Sequence, residues 1–282
     1  MVLLRRALGW LAAGAILLVI LAIFLGPYAW IVASSFKPQF EIFRDLKPIS
    51  WATFVPAHPT PANFIHLFVD RGVGGALINS AIVSCGQVAG TLALCTTAAY
   101  GLTRIRFKGA NVVFAVVLMT FLLPIESMMV PLYIQVSRLG LQDTLLGVFI
   151  PWIASPFGLF MLRQAFEDLP RELDEAARID GAGHVRIFWS VVLPNVRTTL
   201  ATLALVTFLF SWNAFLWPLV ILQSPQRQVI QLAIAQSVAI GQLPNWGETF
   251  AGATIATVPV ILVFLFLQRY FVRGIALTGV KG

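Results

Sequence analysis

Charge is what this sequence has least of. Asp, Glu, Lys and Arg make up 11% of its 282 residues, while 59% are hydrophobic; a soluble domain carries about 25% charge. Mean hydropathy is +0.86. So little polar surface excludes a water-soluble enzyme and a disordered tail. Cysteine is nearly absent: Cys85 and Cys95 share one apolar stretch. On a helix they stand about 15 Å apart along the axis, beyond the ~5.5 Å Cα spacing of a disulfide, so both read as small buried hydrophobic side chains. The 21 Gly and 16 Pro follow no collagen period, and no short repeat stands out. No G-x-x-x-x-G-K-[ST] occurs, so a nucleotide motor is not in this chain. No nucleophile–base constellation marks an enzyme. His58 and His66 have no Cys or carboxylate at metal-ligand spacing, and His184 reads as a solvated loop residue.

What is present is long uncharged runs. A helix needs about 20 apolar residues to span hydrocarbon, and a charge at its centre costs roughly 2.5–3.5 kcal/mol on insertion scales. Charge-free gaps fall at 7–36, 72–103, 109–125, 144–162, 198–226 and 249–268. They predict an all-α integral membrane protein with six transmembrane helices near 9–33, 77–100, 110–128, 144–162, 198–222 and 250–268. The organisation expected is a first helix with its outer loop over 1–76, then a five-helix core over 77–282.

The net charge of +7 fits this class better than nucleic-acid binding. With both termini inside, 13 basic residues, among them Arg104, Arg106, Arg163, Arg178 and Arg269, fall on the cytoplasmic side and 6 outside, while the acids divide evenly. That is the positive-inside pattern for an N-in, C-in chain. The first run exceeds a signal-peptide core and lacks an A-x-A site near its end, so it reads as a retained span. Outside, residues 37–76 carry Pro48, Pro56, Pro59 and Pro61 and read as an ordered or draped loop. Residues 223–249 read as a loop that re-enters between helices or reaches a partner.

The segment 163–197 is the longest cytoplasmic stretch and holds Glu167, Asp168, Glu172, Asp174, Glu175 and Asp180, half of all the acids. A plain connector needs two to eight residues. Pro170 marks a helix start, Asp174 and Arg178 form an i,i+4 pair in the favourable order, and Gly181 suits a left-handed cap. Leu173, Ala176 and Ala177 share a narrow face. Beyond the break, Val185, Phe188, Trp189 and Val192 recur at helical spacing. Two short helices at an angle are expected, with a small-residue face fit for close approach to another surface. The competing reading, an amphipathic connector on the headgroups, would favour Lys and Arg over this acidic excess.

Glu175-Ala176-Ala177, Asp180-Gly181-Ala182 and Leu193-Pro194 resemble the EAA loop of ABC importer permeases, in the form typical of carbohydrate uptake. Further matches are Asn79-Ser80, Ala99-Tyr100-Gly101, Arg104 with Arg106-Phe107, Pro124, Pro131 and Gly140-Leu141. The run Trp212-Asn213-Ala214-Phe215-Leu216-Trp217-Pro218 and the tail Gln268 to Gly274 with Gly279 to Gly282 extend the likeness to the maltose-type second permease subunits. It covers about residue 60 to the end. One departure stands out: Thr198 and Thr199 occupy a region where a proline is usual, which leaves the entry angle of the fifth helix open.

The resemblance implies a type I importer fold in a bacterial or archaeal cytoplasmic membrane. It also implies a second homologous permease subunit as heterodimer partner, two ATPase subunits, an extracytoplasmic solute-binding protein and a sugar substrate. No cofactor is expected on this chain; ATP and Mg would sit on the partner ATPase. Glu175, Ala176, Ala177, Asp180 and Gly181 would couple to that ATPase, and Lys281 and Gly282 would reach toward it. Asn245 and Trp246 would contact the binding protein. Trp212, Asn213 and Trp217 suit a sugar path by residue type; the other reading of Asn213 is a hydrogen bond between helices, worth about 0.6 kcal/mol. Glu126 reads as an interfacial anchor more readily than as a proton relay. The alternatives are a glycerol-3-phosphate or polyol permease and, from another class, an ion-coupled secondary transporter. The latter would need carboxylates at mid-span, whereas every acid falls at or outside a span boundary.

Overall fold

The computed structural model of the chain describes residues 2–105, 107–237 and 245–278, and these are helices joined by short turns. Three helices are each long and apolar enough to cross a membrane: α1 (Val2–Ser35), α5 (Val73–Arg104) and α16 (Trp246–Thr278). Three bent pairs supply up to three more spans. They are α6 (Ala110–Thr120) with α7 (Ile125–Arg138), α8 (Leu145–Phe149) and its 3₁₀ extension to Trp152 with α9 (Pro156–Glu167), and the helical run His184–Asn195 with α13 (Arg197–Trp212).

The expected spans near 110–128, 144–162 and 198–222 are therefore not continuous helices, and each break has a local cause. The first pair bends by 102° where Pro124, lacking an N–H, biases Leu123 away from helical geometry. The second bends by 46° at Ser155-Pro156. There the Ser155 hydroxyl caps α9 by accepting from the Gly158 N–H at 3.0 Å, with Pro156 at the favoured first position. The third span also opens at Asn213–Phe215, before α14 (Leu216–Ile221). Pro194 cannot donate to the Ser190 carbonyl, and the turn before it, Phe188–Val192, is widened to a π-helix. The chain then bends by 78° at Val196, which gives the entry angle of α13 that the missing proline left open.

The chain divides into two compact units, 1–74 with 233–258, and 75–232 with 259–282. In the first, the segment 37–76 is folded, not draped: α2 (Gln39–Arg44), α3 (Trp51–Phe54) and α4 (Ala62–Val69) enclose a fully buried Lys37. Its ammonium donates to the carbonyls of Ala52 and of Thr53 (3.3 Å), and lies 3.5 Å from the Asp45 carboxylate. The Asn63 amide donates to the Ser35 and Lys37 carbonyls at 2.8 and 2.9 Å, satisfying groups that the end of α1 leaves open. His58 meets a carboxylate in space: Glu41, fully buried and 2.5 Å away. It lies seventeen residues earlier in the chain, outside any metal spacing motif. His66 lies 3.4 Å from Asp70.

In the second unit Gly86 and Gly90 on α5 form a G-x-x-x-G step: an added Cβ would meet Phe149 at 2.9 Å and Ile153 at 2.6 Å, so the two glycines make room for these side chains. Cys95 is buried as expected, but Cys85 faces outward. The segment after α14 is tied down at both ends. The Asn79 amide donates to the Gln226 and Gln228 carbonyls, both at 2.9 Å, and the Ser80 hydroxyl accepts from the Ile230 N–H at 2.7 Å. Asp143 holds positive φ (53°) and accepts from the Ser224 hydroxyl and from the Gln223 and Ser224 amides. Those donors, the hydroxyl first, pull its carboxyl down to about 2.

A depressed carboxyl pKa stabilises above the ordinary value of 3.8, and the gain fades as pH falls through about 2. Amide hydrogen exchange at Gln223 and Ser224 is therefore expected to be slow above about pH 4 and to lose its protection toward pH 2. Asp143→Ala should raise exchange there on the order of tenfold at pH 6, consistent with loss of a typical hydrogen bond; equal protection in variant and wild type would refute the clamp.

Candidate functional site

The acid-rich elbow folds as its sequence directs. The helix α10 (Glu172–Ile179) follows Arg171, with Glu172, Asp174 and Glu175 in its first turn, where carboxylates suit the helix dipole. Its end is a Schellman motif: the Gly181 N–H bonds to the Arg178 carbonyl and the Ala182 N–H to that of Ala177, both at 2.9 Å, with Gly181 at φ 79°. The chain turns there into α11 (His184–Ile187), the π turn and α12 (Leu193–Asn195).

Asp174 does not pair with Arg178 as expected; it turns inward to Arg104, the last residue of α5, with Arg104 Nε 2.9 Å from its Oδ2. The two side chains are only 3% and 6% exposed, and the Arg104 guanidinium also donates to the Leu169 carbonyl at 3.1 Å. His184 is not a free loop residue either: the Tyr100 hydroxyl lies 3.1 Å from its Nδ1 and donates to its carbonyl at 3.2 Å, and the Tyr100 ring meets Phe188 edge-on at 5.2 Å. Beneath lies a core of Ala99, Leu162, Phe166, Ile187, Phe188 and Val192. The apolar recurrence after Gly181 is thus divided, with Phe188 and Val192 buried and Val185 and Trp189 exposed.

What remains outward is informative. Glu175, Ala176 and Asp180 are exposed and Ala177 is half-buried. Ile179, Val185 and Trp189 are 87%, 74% and 65% exposed. Beside them a recess of about 370 Å³ is lined by Arg104, Arg171, Asp174, Glu175, Arg178 and His184. Apolar side chains rimmed by charge in this way mark a surface made to be covered.

The other expected residues disperse. Asn213 caps the end of α13 at a helix break, its amide donating to the Leu209 carbonyl at 2.8 Å. Asn213 and Trp217 line one cavity of about 300 Å³. Trp217 is buried, and its indole N–H lies between the Gly147 and Val148 carbonyls, 3.1 Å from each. Trp212 is buried outside that lining and stacks on Phe208 at 5.4 Å. Glu126 also lines this cavity, in the first turn of α7. Asn245 and Glu248 satisfy each other across the start of α16 (2.8 and 3.3 Å), and Trp246 packs edge-on against Phe43 at 5.9 Å. Lys281 and Gly282 lie outside the described residues, as does Arg106.

Residues 91–277 match the family described as binding-protein-dependent transport system inner membrane component. The chain belongs to this family. This permease is 34% identical over 277 residues to the arabinooligosaccharides transport system permease protein AraQ of Halalkalibacterium halodurans, covering 98% of this chain and 97% of that one. It is 33% identical over 256 residues to the lactose transport system permease protein LacG of Rhizobium radiobacter (90% and 91%). It is also 33% identical over 231 residues to the sn-glycerol-3-phosphate transport system permease protein UgpE of Yersinia pestis (79% and 82%). In fold it resembles a chain of a bacterial ABC transporter that imports the acidic polysaccharide alginate, at TM-score 0.82 and 22% identity, covering 94% and 97% of the two chains. The permease is a multi-pass, all-helical membrane component of an ABC importer.

Arg104 and Tyr100 are the contacts that sequence reasoning missed: both were read as motif residues, and nothing local in the sequence pairs them with a loop some seventy to eighty residues away. Breaking the buried pair by Arg104→Ala is expected to cost about 3–5 kcal/mol, measured as loss of stability of the purified permease, whereas Arg104→Met with Asp174→Leu together should recover most of it. A single variant within about 1 kcal/mol of wild type would refute the anchoring role.

Proposed function

We propose that this chain is the permease subunit of an ATP-driven carbohydrate importer and couples to a separate ATPase through the elbow 170–190. The observation that carries this reading is the elbow itself: its inner face is held to α5 by the Arg104–Asp174 ion pair, while Glu175, Ala176, Ile179 and Val185 on its outer face are exposed. Ala176 permits close approach, and Glu175 supplies a charge that fixes orientation. ATP and Mg belong to that ATPase, two copies of which would serve this chain and a second, homologous permease subunit in a heterodimer. A solute-binding protein delivers the substrate from outside. The chain lies in a bacterial or archaeal cytoplasmic membrane with both termini inside, as the distribution of basic residues supports. Closing the ATPase pair rocks the membrane halves between inward- and outward-facing states.

Carbohydrate as substrate class rests on AraQ and LacG, whose names specify arabinooligosaccharides and lactose. A second reading, a glycerol-3-phosphate permease, is favoured by UgpE at nearly the same identity.

Cysteine placed at Ala176 is expected to cross-link to an ATPase subunit in membranes of the producing cell, and Glu175→Lys to lower both that capture and ATP-driven sugar uptake by more than roughly tenfold. Capture of no nucleotide-hydrolysing subunit, or normal uptake with Glu175→Lys, would contradict the proposal.

A further inference from the structure

Two helix interruptions meet at one cavity. The break Asn213–Phe215 and the start of α7, just past the break at Pro124, both line the recess of about 300 Å³ that also contains Trp217. Irregular backbone at membrane depth is tolerated only where it is buried in protein or lines a water-filled cavity, and discontinuous helices are a recurrent way to build a solute site.

The chemistry of the walls narrows the solute. Trp152 meets Phe210 and Trp217 edge-on at 6.1 and 6.2 Å, forming an aromatic wall. Gln87 lines the cavity from near the midpoint of α5. It is 4% exposed. The Ser211 hydroxyl in the same wall is buried without a partner among the described residues. A buried polar group left unpaired costs about 1–3 kcal/mol, and neither a lipid chain nor an apolar helix would relieve it. Among the described residues Glu126 is the charged group of the lining, and no Lys, Arg or His lines the cavity. An anion entering would meet a carboxylate and no counter-charge. The volume is at the small end of the range for small-molecule pockets, about 300–1,000 Å³, which suits one ring and not a chain of them.

We propose that this cavity is a subsite for a single uncharged sugar ring, which gives the permease its own contacts to the solute. The aromatic wall takes the C–H face of the ring, Gln87 and Asn213 bond its hydroxyls, and Glu126 accepts from a hydroxyl while disfavouring phosphate- or carboxylate-bearing solutes. This rests on the carbohydrate reading above and selects, within it, the neutral branch.

The test uses the assembled importer in lipid nanodiscs, with the outward-facing Cys85 replaced by serine and Met129→Cys introduced in the lining. Lactose or arabinotriose is expected to slow labelling of that cysteine by a cationic methanethiosulfonate at least threefold, and sn-glycerol 3-phosphate at equal concentration to leave it unchanged. Equal rates with every solute, or protection by the phosphate, would overturn the proposal. A cysteine that never labels would do so too, since a partner helix would then fill the cavity. In proteoliposomes Gln87→Leu should cut uptake of the protecting sugar roughly tenfold, as for one lost polar contact, and Gln87→Asn should recover part of it. Gln87→Leu should also abolish the protection of Met129→Cys by that sugar, and protection retained at the wild-type level would overturn the place of Gln87 in the site. ATP-independent uptake by the wild type would instead defeat the importer reading, leaving the labelling result to stand by itself.

Discussion

The pairing of Arg104 with Asp174 is the interaction on which the functional part of the molecule depends. Two opposite charges held 2.9 Å apart with side chains almost wholly buried gain from each other only in that geometry, and either one left alone would be costly. Arg104 ends α5, where a cation suits the helix dipole, and Asp174 starts α10, where an anion does. The Leu169 carbonyl takes a further guanidinium donor, and Tyr100, one turn earlier on α5, holds His184 beyond the Gly181 turn. The elbow is therefore fixed on both sides of its bend to the end of one membrane-length helix. On the proposed reading, a force applied to its exposed face would pass to α5.

The same helix carries the close-packing glycines and, near its midpoint, Gln87. Gly86 and Gly90 bring Phe149 and Ile153 against α5, and one turn of this same stretch presents Gln87 to the cavity bounded by Trp152 and Trp217. Packing between the elbow and the cavity is thus continuous along one rod, with Cys95, Ala99 and Tyr100 in the core between them. At the other end, Asn79 and Ser80, near the start of this rod, hold the segment 226–230. One helix links the elbow, the cavity and the segment 226–230.

Much of this was legible in the residues. Gaps between charges locate the membrane-length segments, because the cost of a charge in hydrocarbon is large and local, and the Gly181 turn follows from the left-handed conformation that a Schellman cap requires. The helix breaks at 121–124, 153–155 and 213–215 were not read, because hydropathy records only composition and an uncharged run looks the same straight or bent. Pro124 and Pro156 carried the signal for two of them; Asn213–Phe215 carries no proline and gave none. Asp174 was assigned to its nearest helical neighbour, Arg178, since local spacing says nothing of a partner seventy residues earlier. Residues 37–76 read as ordered or draped, and local sequence did not decide between the two: Lys37 is buried against the carbonyls of Ala52 and Thr53 and the Asp45 carboxylate, eight to sixteen residues further along the chain.

The central claim is that work enters through an elbow rigidly joined to α5. The most direct measurement is the number of solute molecules moved per ATP hydrolysed by the reconstituted importer carrying Asp174→Asn, with assembly checked by co-purification of the ATPase. The account predicts an intact complex that still hydrolyses ATP but moves several-fold less solute for each ATP. An unchanged ratio in a fully assembled complex would contradict it.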